Sequence, residues 1–298
     1  MLHIRRMLII LNLILLSIFF LLTLRRIISE SKIRNYCLKT HLKINGNFYS
    51  NLLHIPELNV LFCDVPKAAS TNLRRLIYFH FNQSKFYENL DQQQIWFDYD
   101  SFFYRFYLTE KTKDIYQNGN VYKFLIVRHP FRRIYSTYFN KFVNNDIENK
   151  IFGWKKFEER ILLEMNKNET LLTIRSRNLR LDFRTFLLYI IQSIRKEEII
   201  NNHWEQIVQR CSICLINYDW IGKIENFETD KQILMKIFPN FQFPSKNFDQ
   251  NEKQQIQLDD DQLIKLFRNT IQNDDDFKIL VEYYEHDFQL FGYKMPKL

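Results

Sequence analysis

Lys67 is followed closely by Ser70 and Thr71, and Arg128 is followed eight positions later by Ser136. Each set pairs a cation with a hydroxyl, and both suit an anion the size of a phosphate or sulfate. A lysine supplies a point charge, a guanidinium supplies a two-pronged fork, and a hydroxyl adds one more donor. What the chain must do is hold these groups at the ends of rigid elements.

The first set lies in NVLFCDVPKAASTNLRRLIYFHF, Asn59 to Phe81. The apolar run predicts a strand over Val60 to Val65, a tight turn over Pro66 to Ser70, and a helix entered at Thr71 and Asn72. Leu73, Leu76, Ile77 and His80 share one face of that helix. Pro66, Lys67, Ala68, Ala69, Ser70, Thr71 and Asn72 would then cradle an anion, because first-turn amides, the helix dipole and the lysine converge there. The plain alternative is a strand-to-helix corner carrying a solvated lysine, since the glycines of G-x-x-x-x-G-K-[ST] are missing.

The second set repeats the plan. In YKFLIVRHPFRRIYSTYFNKF, Tyr122 to Phe142, a strand over Phe124 to Val127 ends in Arg128, and a helix is expected from Pro130. Ser136 then lies about two turns into that helix. Two units of strand, cation and helix in one chain are hard to attribute to chance.

The pair PKAASTN (Pro66 to Asn72) and RHPFRRIYS (Arg128 to Ser136) resembles the 5′-phosphosulfate and 3′-phosphate loops of Golgi carbohydrate sulfotransferases, in the branch of chondroitin, dermatan and HNK-1 sulfotransferases. Three further blocks follow in order: Phe183-Arg184-Thr185-Phe186 with Tyr189, the stretch NNHWEQIVQRCSICLINYDWIGKIENFETD from Asn201 to Asp230, and the tail Tyr283 to Tyr293. The likeness runs from about Leu58 to Tyr293. Against the family pattern, Ser70 replaces a cysteine, His129 replaces the acid after the arginine, and Asn202 replaces the acid before His203. His129, next to Arg128 on extended backbone, is expected to face away from the cofactor.

The resemblance implies an α/β fold: a P-loop-like core with a mainly parallel central sheet flanked by helices, ligands lying beyond the carboxyl ends of the strands. It implies 3′-phosphoadenosine-5′-phosphosulfate as donor, with Lys67 and the helix amides on the 5′-phosphosulfate, and Arg128 and Ser136 on the 3′-phosphate. It also makes Lys67 a catalytic cation and His203 the candidate base, an imidazole being able to titrate near neutral pH. The plain reading of His203 is a buried histidine beside Trp204. Within Arg175, Arg177, Arg180 and Arg184, the first two are candidate contacts to an acidic glycan, against the ordinary reading of a solvated surface.

The 42 basic and 34 acidic residues give a net charge of +8, which favours an acidic partner. Nucleic acid is the rival, but no Lys/Arg block, zinc-finger spacing or RNA-binding signature is present. Apolar residues at 46% and 28 Phe against 5 Gly indicate a packed core. The acidic runs Asp259 to Asp261 and Asp274 to Asp276 lack EF-hand spacing and read as solvated helix ends, so no metal is expected. The aromatic run Tyr87 to Phe106 is read either as core or as a sugar-stacking surface.

Met7 to Leu24 is an uncharged apolar run bracketed by Arg5-Arg6 and Arg25-Arg26. It is long enough to approach the span of a bilayer and lacks a cleavage site, so a signal anchor is expected. The expected organisation is a tail at 1–6, a transmembrane helix at 7–24, a stem at 25–57 and a catalytic domain at 58–298. The family resemblance places that domain in the Golgi lumen, where the sequons at Asn82 and Asn168 would be read. Oxidising surroundings favour disulfides: a local link between Cys211 and Cys214 is expected, with Cys63 buried on its strand, and the spacing leaves the full pairing open. A non-catalytic glycan or nucleotide binder is the alternative, distinguished by activity with a sulfate donor.

Overall fold

The run Val60-Leu-Phe-Cys63 is buried along its whole length, as is Lys123 to Val127, and strands buried on both faces pair in parallel. In the computed structural model, which describes residues 33–40, 42, 48–82, 106–143, 153–238 and 258–298, these are strands β2 (Val60–Cys63) and β3 (Tyr122–Val127). They lie beside β1 (Leu52–Ile55) and β4 (Trp220–Lys223) in a sheet of order β1-β2-β3-β4. The β2–β3 and β3–β4 pairs are parallel, and β1 is the antiparallel edge.

Register puts Phe62 opposite Phe124 and Phe124 opposite Trp220. The two phenylalanine rings stack at 5.2 Å and Trp220 tilts against Phe124 at 6.1 Å. This face is covered by Leu73, Leu76 and Ile77 of helix α1 (Ser70–Asn82). The opposite face carries Leu61, Cys63, Leu125 and Val127, packed against Ile207, Val208 and Cys211. The period-2 alternation of a strand thus buries both sides of the sheet.

A helical layer completes the molecule. Helix α2 (Pro130–Tyr138) runs into a π-turn at Phe139–Val143; α3 (Trp154–Met165), α4 (Leu171–Ser176) and α5 (Phe183–Arg195) follow. The short α6 (Ile207–Arg210) precedes β4, α7 (Phe227–Ile237) follows it, and α8 (Asp260–Ile271), α9 (Asp274–Tyr283) and α10 (Glu285–Leu290) close the chain. Phe131, Phe186, Trp204, Phe267, Phe277 and Phe288 form their common core. The two acidic runs are helix starts, Asp259 closing a capping box with Gln262 and Asp274 to Asp276 filling the first turn of α9.

Two expectations change, and others lie outside the described residues. The stretch 25–57, expected as a stem, contributes β1 to the sheet, because Leu52, Leu53 and Ile55 are apolar enough to cover its edge. The expected Cys211–Cys214 link is not formed. Cys211 is buried facing β2 and bonds Cys63, with a Cα–Cα distance of 5.7 Å, while Cys214 bonds Cys37 in the helical segment 33–40, at 5.5 Å. The turn after α6 points the two cysteines at different partners. Finally, Met7–Leu24, the sequon at Asn82 beyond its first residue, and the aromatic run up to residue 105 lie outside the described residues. Among those described, no helix is long and apolar enough to cross a membrane.

Candidate active site

Because β2 and β3 are parallel neighbours, the loops leaving their carboxyl ends emerge side by side. The first loop, 64–69, is fixed through its backbone by three buried arginines. Arg210 Nε donates to the carbonyl of Asp64 (2.7 Å), Arg133 Nε to that of Pro66 (3.1 Å), and Arg128 Nη1 to that of Lys67 (3.1 Å). Below it, Asp64 accepts from Arg74 Nη2 (3.0 Å) and from the Tyr107 hydroxyl (2.8 Å). Lys67 and Ala69 hold left-handed backbone, φ 66° and 64°, a conformation costly for residues with a Cβ. The loop achieves without glycine the tight turn that glycines usually provide.

Helix α1 begins at Ser70, one residue earlier than its spacing predicts, with Leu73 N–H bonded to Ala69 O at 2.9 Å. A helix start leaves its first amides, here those of Ser70, Thr71 and Asn72, without intrahelical acceptors. Ala68 is buried, its amide donating to Val65 O, and Asn72 accepts from Arg75. With Lys67 at the loop crest, this end of the helix suits an anion.

At the second loop, His129 caps α2 by accepting from Phe131 N–H at 3.2 Å, and its backbone amide donates to Glu225 (2.8 Å). Its ring packs against Phe131, Phe288 and Tyr293, so it turns into the core. Arg128 is buried at the end of β3, 7% exposed, and Ser136 is buried on α2. The structure therefore joins Arg128 to the first loop through the Lys67 carbonyl and places Ser136 two turns along α2.

His203 comes to the same region from a segment far along the chain. Four consecutive carbonyls there accept from buried side chains: Asn202 O and Glu205 O from Arg133, His203 O from Thr137, and Trp204 O from the Tyr284 hydroxyl. Asp287 accepts the amides of Ile207 and Val208, both at 2.9 Å. The His203 ring meets the edge of Trp154 at 4.9 Å, and Lys141 Nζ lies 5.3 Å from the centre of that indole. Part of His203 reaches solvent, yet burial holds its imidazole well below the usual histidine value, and the charges of Lys141, Lys67, Arg133 and Arg210 push the same way. Burial and these cations keep the imidazole neutral, with a lone pair to offer a proton, while lowering its basicity.

Several residues of this cluster escape sequence reading. Asn140 accepts from Lys67 Nζ at 3.1 Å. It lies four positions after Ser136, a spacing that puts both on one helix face and was available as a signal. Lys141 and Trp154 had none, because the π-turn shifts the phase of the chain after α2. Asn201 is the unrecognised neighbour of His203: its Oδ1 lies 3.1 Å from Nδ1. Arg175 and Arg177 contact neither Lys67, Arg128 nor His203. Arg175 forms a two-pronged pair with Glu159 (3.0 and 2.9 Å), and Arg177 stands 3.7 Å from Glu169.

Residues 50–294 match the sequence pattern of the sulfotransferase family. The chain is 26% identical to carbohydrate sulfotransferase 11 of Rattus norvegicus over 266 residues, covering 85% of this chain and 70% of the relative. It is 26% identical to carbohydrate sulfotransferase 9 of Homo sapiens over 257 residues, 80% and 52% of the two chains, and 30% identical to carbohydrate sulfotransferase 12 of Xenopus laevis over 185 residues, 58% and 40%. No solved structure matches the chain. With two strand-to-helix loops side by side on a mainly parallel sheet and a family match over most of its length, the chain belongs to the sulfotransferase family and is a sulfotransferase.

Proposed function

We propose that this enzyme transfers the sulfuryl group of 3′-phosphoadenosine-5′-phosphosulfate to a hydroxyl of a glycan, of chondroitin, dermatan or glycoprotein type. The observation that carries the reading is the convergence of Lys67, the α1 amino end, Arg128 and His203 at the carboxyl end of the β2–β3 pair. The names of the relatives support a carbohydrate acceptor.

The donor fits the residues present. Lys67 and the amides of Ser70, Thr71 and Asn72 would hold the 5′-phosphosulfate, with Arg128 and Ser136 toward the 3′-phosphate. When bound, the donor supplies an activated sulfuryl group on a nucleotide leaving group. The acceptor oxygen forms the new S–O bond as the bond from sulfur to the bridging phosphate oxygen breaks. The hydroxyl proton passes to His203, and the Lys67 ammonium offsets the charge growing on the leaving oxygen. Arg133, Thr137 and Tyr284 keep the base in place by holding the carbonyls around it.

The domain is proposed to stand in the Golgi lumen behind a membrane anchor at Met7–Leu24. Two disulfides support an oxidising compartment, and Asn168, exposed in the turn before α4, supports a used sequon. The test is transfer of labelled sulfate from the donor to a panel of desulfated glycosaminoglycans and glycoprotein glycans. Label on one or more glycans identifies the acceptor class; label on none, with the nucleotide still bound, contradicts the reading.

A further inference from the structure

Two bonds converge on one oxygen beside the candidate base. The backbone amide of His203 donates to Asn201 Oδ1 at 3.0 Å, and His203 Nδ1 lies 3.1 Å from the same atom. An amide N–H can only donate, so the atom it meets is the carbonyl oxygen of the asparagine. That oxygen cannot donate in turn, so Nδ1 must carry the proton. In a neutral imidazole the second nitrogen, Nε2, is then the lone-pair site, and among the described residues nothing is bonded to it.

We infer that Asn201 is the positioning residue of the transfer reaction: it fixes the tautomer and the orientation of His203, so that Nε2 is the atom that takes the acceptor's proton. This rests on the reading of His203 as base given above. The usual orienting partner for such a histidine is a carboxylate. Here the residue immediately before His203 is Asn202, whose carbonyl is bound by Arg133, and the orienting oxygen comes from one position further back.

A neutral partner has a chemical consequence. Among the described residues the charges that act most on His203 are cations, Lys67 from the first loop, Arg133 from α2, Lys141 from the π-turn and Arg210 from α6, the last paired with Glu205 at 3.5 Å, while α3 presents the indole of Trp154. An orienting carboxylate would stabilise the imidazolium and hold the proton; an amide oxygen orients the ring and leaves it neutral. The surrounding cations add to that effect and keep the base unprotonated at lower pH.

The experiment is the pH profile of kcat/KM for wild type, Asn201→Asp, Asn201→Leu and His203→Ala, each with nucleotide binding measured in parallel. Asn201→Asp keeps the accepting oxygen, so it should retain transfer with its acid limb moved up by about one pH unit or more. Asn201→Leu should lose about 10- to 100-fold in kcat, with donor KM and nucleotide binding little changed. A merely structural asparagine would give equal losses in both variants and an unmoved acid limb, and that result overturns the inference. If His203→Ala transfers as well as wild type, the assignment of the base fails instead, whatever Asn201 does.

Discussion

At the scale of single residues, the two histidines near the site are used in opposite ways. His129 replaces an acid of the family pattern and is wholly buried as the cap of α2. Burial pushes its imidazole down to about 4, with Arg132, Arg128 and Lys223 adding to the shift and Asp260 opposing it. A histidine whose value is depressed on folding stabilises the fold above its unfolded value and ceases to do so as pH falls through the folded one. Stability should therefore decline as pH drops from about 6.5 toward about 4. Chemical denaturation across that range measures it, and His129→Gln, which keeps an accepting oxygen for the cap, should flatten the decline. A profile identical in the two proteins would remove His129 as its source. Lys67 and Arg128 stood out as cations at strand ends, a local feature, and His203 through the family resemblance of its block. Asn140 was within reach of the four-residue spacing from Ser136, whereas Asn201 and Lys141 were not legible, because their places depend on a side chain turning back and on a π-turn that no spacing rule anticipates.

At the scale of elements, the sequence showed most of what positions the site. The apolar runs foretold β2 and β3, and Pro130 foretold the start of α2. It did not show the edge strand β1, four residues without a strong pattern of their own, nor the pairing of the cysteines. A C-x-x-C spacing suggests a local bridge, whereas partners are chosen by where a turn sends each Cβ. Peptide mapping of unreduced protein should yield Cys37 joined to Cys214 and Cys63 joined to Cys211; a Cys211–Cys214 peptide would contradict the fold around β2. The two bridges are nested, so once Cys63–Cys211 is closed, Cys37–Cys214 closes a ring of only roughly thirty residues, worth about 3 to 4 kcal/mol on a chain-entropy argument. Its larger effect is to tie the helical segment 33–40 to the catalytic domain, where Tyr36 also bonds His286 at 2.6 Å.

At the scale of the whole molecule, the site is made by bringing three distant parts of the chain to one end of a sheet. Arg133 is the hub, spanning Pro66 of the first loop and Asn202 and Glu205 on either side of His203 from its own place on α2. The net charge of +8 suits an anionic partner, and both loops lie at the carboxyl ends of β2 and β3, where an open α/β sheet places its ligands. The central claim is that this assembly performs sulfuryl transfer with Lys67 at its reacting centre. The most direct measurement is transfer of labelled sulfate from 3′-phosphoadenosine-5′-phosphosulfate to glycan by wild type and by Lys67→Ala, with folding of both checked by thermal melting. Transfer by the wild type, reduced about 100-fold or more in a variant that melts as a folded protein, is the expected result. Undiminished transfer by folded Lys67→Ala would contradict the account.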